Sequence, residues 1–337
     1  MVLRGAALLA TLLIAAAARA EERPRFILPV DCEPGIDCFV QNYFDVDSGP
    51  KGRDYTCGPL TYSGHTGTDI RLRSFAEMRA GATVVAAAAG QVRGTRDGEP
   101  DIGWPKDAEK RKGGKRQCGN GVAISHGNGW VTRYCHMKKG SIAVRRGQKV
   151  RAGTRLGEIG FSGKTEFPHL HLTVRRNKTA VDPFTGREAR NGCTRATTSQ
   201  SLWDAAALAR LAYRPSGLLG AGLTGSRPKK AEIEDGGHRL GELPHRAPVL
   251  VFWIEIFGLR KGDVETLRIY GPKDRLVAKH ETKPADRDRA VVFRYVGKPR
   301  PRGLWKRGRY RGEYRLRRKS GGKTVEVVRA SRTVTIR

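Results

Sequence analysis

Between Leu60 and Pro183 the chain is written in short β-type runs cut by glycine-containing turns. That spacing constrains the fold more than any other feature. The runs "ATVVAAAAGQV", "GVAISHG", "WVTRYCHM", "GTRLGEIGF" and "HLHLTVRR" are each about one strand long, the pattern of an antiparallel sheet, barrel-like or sandwiched. The interruption from Arg96 to Gln117, "RDGEPDIGWPKDAEKRKGGKRQ", is too polar and too long for a hairpin turn and predicts a surface loop. "SLWDAAALARLAY", Ser201 to Tyr213, has helical character with Ser199 or Ser201 as its cap. From Leu250 strands return. "LVFWIEIFG" is apolar on both alternate faces, as in a central buried strand. "RYRGEYRLRR" puts Tyr310, Tyr314 and Leu316 on one face and Arg309, Arg311, Arg315 and Arg317 on the other, a half-buried strand with a basic outside.

The expected organisation is all-β in the main. A disulfide-tied arm spans residues 21–59, a β domain 60–213, a Gly- and Pro-dense linker 214–247, and a basic β-sandwich of immunoglobulin-like type 248–337. Within the linker, "AEIED" offers a short strand. Ahead of all this, residues 1–20 carry one early Arg4, an apolar core from Ala6 to Ala18 and an Ala18-Arg19-Ala20 cleavage pattern, which predicts a secretory signal peptide. No later segment is long enough to span a bilayer, so the mature chain is expected in the periplasm or outside the cell.

Export gives the six cysteines their meaning. None is spaced as a C-x-x-C zinc knuckle, and in an oxidising compartment they read as disulfides. The turn-like "EPGID" suits Cys32 with Cys38. Cys118 and Cys135 end one candidate strand and sit in the next, which leaves Cys57 with Cys193 by elimination. The net charge of +31 calls for an anionic partner. For an exported protein that partner is peptidoglycan with its acidic polymers rather than nucleic acid. The chain is expected to be a monomer, with other cell-wall enzymes as further candidate partners.

The chemistry concentrates in "EFPHLHLTV". Alternation points His169, His171 and Thr173 one way and Leu170, Leu172 and Val174 towards the core. One imidazole can then bind a metal while the other stands beside the open coordination position. Upstream, "SGHTGTDI" supplies His65 and Asp69. Two imidazoles and a carboxylate make a three-ligand zinc site with its fourth position free for water, the arrangement of catalytic rather than structural zinc, and the carboxylate argues against a soft metal. His136 ends a candidate strand in "TRYCHM". Each of these elements alone is more often structural; their joint presence in an exported β domain is what carries weight.

"GHTGTDI", "GNGVAISHGNGWVTRYCHM", "VRRGQKVRAGTRLGEIGFSGKT" and "PHLHLTV" resemble, in order, the signatures of the lysostaphin-type (LytM-like) zinc metallopeptidases, over about Tyr62 to Pro183. The resemblance implies an antiparallel sheet with a groove across the metal. It implies Zn2+ held by His65, Asp69 and His171, and catalytic roles for His136 and His169. The implied activity is that of a zinc metalloendopeptidase hydrolysing peptide cross-links of bacterial peptidoglycan. With no motif glutamate present, His169 is assigned to the water and His136 to the oxyanion or leaving amine, roles that can be exchanged. Departures exist: Leu172 and Thr173 stand where the family often has a phenylalanine and an acid, and Tyr62 or Tyr55 only approximately matches a tyrosine proposed for some members. His126 reads as structural, and His238, His245 and His280 as surface residues. A competing class is a non-catalytic LytM-like regulator that activates a cell-wall amidase, which would be expected to have lost ligands.

Overall fold

The computed structural model describes residues 23–104, 116–238 and 241–337. The expected signal peptide and the middle of the 96–117 loop lie outside the described residues. The first half of the chain contributes β1 (Cys38–Asn42), β2 (Thr68–Leu72), α1 (Phe75–Ala80), β3 (Thr83–Val85), β4 (Gly90–Arg96), β5 (Asn120–Gly127), β6 (Trp130–Met137), β7 (Lys149–Val150), β8 (Arg155–Glu158), β9 (His169–Arg176) and β10 (Thr179–Val181). Seven of these run β1-β2-β9-β6-β5-β4-β7 across one antiparallel sheet, β10 pairs with β9, and β3 with β8 form a separate ribbon. Among the described residues no closed barrel forms.

The sheet lies over a continuous core that includes Ile70, Ile124, Tyr134, Leu170, Leu172 and Val174. On β9 the pattern works as alternation requires: Leu170, Leu172 and Val174 are fully buried, while His169 and His171 on the other face are partly accessible. The arm belongs to this unit. β1 pairs with β2 from Cys38↔Leu72 to Asn42↔Asp69, and Phe26, Phe39 and Tyr43 are in the core. Disulfides join Cys32 to Cys38, Cys57 to Cys193 and Cys118 to Cys135.

Two local expectations change. The helix α2 covers Ala205–Arg210 only, and its cap is Asp204, whose side chain accepts from the Ala207 amide; Ser201 instead donates its hydroxyl to the Pro183 carbonyl. "AEIED" is not a strand. It lies in and beside a short helix, α3 (Lys230–Glu234), because Ile233 alone is buried and the charged residues face outward, a helical rather than alternating pattern.

The second half is a two-sheet sandwich. β11 (Gly217–Thr224), β13 (Val249–Leu259) and β16 (Arg289–Pro299) form one sheet in the order β11-β13-β16. The other contains β12 (Glu242–Leu243), β14 (Val264–Tyr270), β15 (Leu276–Glu281), β17 (Gly308–Ser320) and β18 (Lys323–Ile336), ordered β12-β18-β17-β14-β15. Phe252, Ile254, Leu267, Tyr314 and Leu316 fill the space between the sheets. The stretch read as linker thus holds an edge strand of the sandwich, β11, whose sequence "GLLGAGLT" has too many glycines to show alternation. The two halves touch. Phe257 of β13 packs edge-on to Phe39 of β1 at 5.8 Å between ring centroids, Leu219 belongs to the same continuous core as Phe39 and Ile70, and Arg79 pairs with Asp235.

Candidate active site

Pairing of β2 with β9 places Asp69 opposite His171 and Arg71 opposite His169. Directly opposed residues project from the same face, so these four side chains form one block. His136 arrives at the end of β6, on the other side of β9, and His65 from the turn that precedes β2. All five expected residues are therefore brought together. Gly67 makes the approach possible: a Cβ there would sit 2.7 Å from His171 Cε1 and Nε2 and from the Leu172 carbonyl oxygen.

Three donor atoms converge. His65 Nε2 lies 3.1 Å and His171 Nδ1 2.8 Å from Asp69 Oδ1, and the two nitrogens are 3.2 Å apart. Ligand atoms at ~2.0–2.1 Å from a tetrahedral zinc are separated by about 3.3 Å, so this nearly equilateral triangle fits the metal in size as well as in donor chemistry. His136, His169 and His171 form a second, looser group, with donor atoms within 4.8 Å of one another. It has no carboxylate. Cys32, Asp37 and Cys38 also cluster, but both thiols are spent in a disulfide.

Outer contacts orient each ring. The Tyr43 carbonyl, 2.7 Å from His65 Nδ1, can only accept, so that nitrogen carries the proton and Nε2 turns a lone pair inward. Thr173 Oγ1 lies 2.9 Å from His171 Nε2 and can accept from it, leaving Nδ1 as the donor towards a metal. Asn42 Nδ2 donates to Asp69 Oδ2 at 3.0 Å. His169 Nδ1 donates to the Phe167 carbonyl at 2.8 Å, and His136 Nδ1 to the Ser162 carbonyl at 2.8 Å. Both of these rings therefore present Nε2 lone pairs to the site, with His169 Nε2 at 3.5 Å from Asp69 Oδ1.

Charge follows from the same contacts. Burial opposes ionisation of Asp69, yet His65, His169 and His171 beside it hold its carboxyl well below the usual range. Burial likewise opposes a charge on His65, but the Asp69 carboxylate raises it overall. His136 is pushed well below the ordinary histidine value by burial, then by its neighbours His169 and His171. Its backbone is left-handed, φ +64°, a strained conformation for a side chain of this size, costing of order 1–3 kcal/mol. The surroundings hold it there: its amide donates to Cys118 O at 2.8 Å and its carbonyl accepts from Gly160 at 3.0 Å, beside the Cys118–Cys135 disulfide.

Of the tyrosines, Tyr62 stacks at 4.6 Å on His65 and is exposed, whereas Tyr55 is in the core. His126 bridges the Ala89 carbonyl and Thr132, away from the donor triangle. His238 contacts Glu232 and Thr224. Asn42, Arg71 and Thr165, whose Oγ1 lies 3.1 Å from His169 Nδ1, emerge only in three dimensions. Arg71 is 3% exposed and stacks 3.9 Å from the Phe167 ring, with burial pushing its guanidinium down to about 10.

Residues 63–183 match the model of peptidase family M23. The matched stretch holds all five expected site residues, His65, Asp69, His136, His169 and His171. It is 51% identical over 56 residues to the peptidoglycan DD-endopeptidase ShyA of Vibrio cholerae, covering 17% of this chain and 13% of that protein. It is 40% identical over 72 residues to the DD-carboxypeptidase/endopeptidase Mpg of Neisseria meningitidis, covering 21% and 16%. The chain thus spans under a fifth of the length of these relatives. Among solved structures, a zinc-containing peptidase from Vibrio cholerae aligns at 24% identity and a TM-score of 0.33, over 50% of this chain and 41% of that one.

Proposed function

We propose that the protein is a zinc-dependent endopeptidase that hydrolyses peptide cross-links of bacterial peptidoglycan. The observation that carries this reading is the triangle of His65, Asp69 and His171 with two further imidazoles, His136 and His169, turned towards it through unprotonated nitrogens. When bound, zinc supplies Lewis-acid polarisation of a carbonyl and a water acidified to a pKa of ~7. The family match and the name of the ShyA relative, a peptidoglycan DD-endopeptidase, support the substrate class.

The division of labour follows from the hydrogen bonds. With Nδ1–H committed to a carbonyl, neutral His136 and neutral His169 can each accept a proton at Nε2 but cannot donate one there. A histidine in this site gives a proton to the leaving amine only after taking one from the attacking water. We assign the uptake to His169, whose Nε2 lies 3.5 Å from Asp69 Oδ1, and the return of that same proton to the leaving amine to the His169 imidazolium, while His136, which burial keeps neutral, offers its Nε2 lone pair as the second acceptor for an N–H of the scissile amide or the departing amine. The non-catalytic alternative has no specific support, since no expected ligand is missing.

The expected setting is the periplasm or the cell exterior. Among the described residues no helix is long and apolar enough to cross a membrane. Residues 216–337 carry 30 Lys and Arg against 13 Asp and Glu, and nine basic residues lie between Asp288 and Glu313 without one acid. Trp305 pins the middle of that run by donating its indole N–H to the Ala247 carbonyl, so the charge is displayed on a fixed loop. This favours docking on the anionic envelope. Mass spectrometry of sacculi digested by the zinc-loaded protein tests the activity: cross-linked muropeptides should fall, uncut in a His169→Ala variant that retains zinc. Unchanged cross-linking with zinc bound to the parent protein would sink the proposal.

A further inference from the structure

Where β16 passes into β17, the sandwich ends in a basic surface with two apolar residues in water. The connection, residues 300–307, carries Arg300, Arg302, Lys306 and Arg307, all exposed. It is a stiff loop. Pro301 fixes one φ, Gly303 turns the chain at φ +96°, and three bonds tie it to the segment before β13. The Arg300 amide donates to the Pro248 carbonyl and the Trp305 amide to the His245 carbonyl, each at 2.9 Å, and the Trp305 indole N–H to the Ala247 carbonyl at 2.9 Å. Leu304, next to the buried Trp305, is nevertheless 51% exposed. The turn after β14 lies alongside, since a Cβ on Gly308 would meet Pro272 Cγ at 3.1 Å. Leu276, just beyond that turn, is likewise 51% exposed.

The charges of this loop are not neutralised within the molecule. Arg300 donates only to the Arg246 carbonyl. Among the described residues Arg302, Lys306 and Arg307 pair with no carboxylate, and the acids at this end, Asp274 and Glu242, are taken by Arg311 and Arg337. A lone exposed leucine is ordinary on a protein surface. Two at one end of a sandwich, beside unpaired cations on a loop held in place, have the composition of a contact with a membrane surface.

We propose that this end of the sandwich docks on a bilayer rich in anionic phospholipid, with Leu304 and Leu276 in the headgroup region and the basic side chains around them on lipid phosphates. This deepens the envelope setting proposed above by naming the component that is bound, and it does not depend on hydrolysis. A wall-bound polyanion would meet the charges equally well but would leave both leucines in water, so the two features together favour lipid. The placement also keeps the site free. Phe39, at the contact with Phe257, pairs with Arg71, which pairs with His169. Eight steps along β13, about 27 Å of strand, separate Phe257 from Val249, which lies opposite Pro299 at the basic end. A docked chain would hold its peptidase sheet off the lipid and towards the wall.

The test uses the exported chain without residues 1–20, whose apolar run would itself bind lipid, and vesicles of phosphatidylcholine with or without phosphatidylglycerol. Cosedimentation gives the affinity. Tighter binding to the anionic vesicles, weakened roughly tenfold or more in Arg302→Ser/Arg307→Ser and roughly threefold or more in Leu304→Ser, supports the proposal. The added fluorescence of Leu304→Trp should be quenched by brominated acyl chains. No binding at millimolar lipid, or equal binding to neutral vesicles, would overturn it. An unaltered affinity in Leu304→Ser, or complete displacement by soluble polyglutamate at equal charge, would overturn it in favour of a wall polyanion. These side chains are exposed and unpaired, so the variants should keep the parent's zinc content and circular dichroism. No readout involves peptide cleavage, so docking and hydrolysis can fail separately.

Discussion

Asn42 is the residue whose role is easiest to isolate, since it touches the carboxylate and not the metal position. Removing its amide should free Asp69 Oδ2 without displacing a ligand. Asn42→Ala is therefore expected to weaken zinc binding by roughly tenfold, read by competition with a chelator, while the fold by circular dichroism stays unchanged. Asp182 supplies a second residue-scale test. It is fully buried, and burial raises its carboxyl to about 6, so the folded protein holds its proton more tightly than the unfolded chain does. Stability from this group is complete below pH ~4 and is lost as pH rises through about 6, by roughly 2–3 kcal/mol. Denaturation of parent and Asp182→Asn across pH 4 to 7 should show their difference shifting in the variant's favour; a flat difference would refute the assignment. His65, Asp69, His136, His169 and His171 are legible in the sequence because alternation and short spacings reveal a shared face. Asn42 and the Tyr43 and Ser162 carbonyls are not, because strand pairing and chain tracing bring them in from far along the chain.

Single elements set how firmly the site is held. β6 ends on a left-handed His136, and the disulfide from Cys135 to Cys118 closes a loop over that turn. Loss of a bridge of this span costs about 3 kcal/mol. The Cys118→Ser/Cys135→Ser variant should unfold at correspondingly lower denaturant. Its activity at full folding should fall further than its zinc content, because His136 is the group released. Gly67→Ala tests the opposite flank. The added methyl meets His171 and a backbone carbonyl, and zinc itself should be lost, measured by metal analysis of the purified variant. At this scale the sequence is informative where strands alternate, as in β9, β13 and β17. It fails for β11, where glycine erases the pattern, and for α2, where Asp204 competes successfully with two nearby serines for the cap.

Across the whole molecule, the arm and the sandwich are parts of one packed body with the peptidase sheet. Phe257 is 1% exposed and shared between the halves, so Phe257→Ala should cost about 3–5 kcal/mol and split a single calorimetric unfolding transition in two. An expectation of arm, domain, linker and sandwich in series misses this, since burial between segments far apart leaves no periodic trace in either. The arm's place in the sheet has a consequence for the life of the protein. Asn42 and the Tyr43 carbonyl reach the metal ligands from a segment tied by Cys32–Cys38 and flanked by Cys57–Cys193. In a reducing cytosol those ties do not form, and chains kept reduced are expected to take up little zinc. Under the proposed function, thiol oxidation would work as a safety catch, arming the enzyme only after the chain has left the compartment that made it.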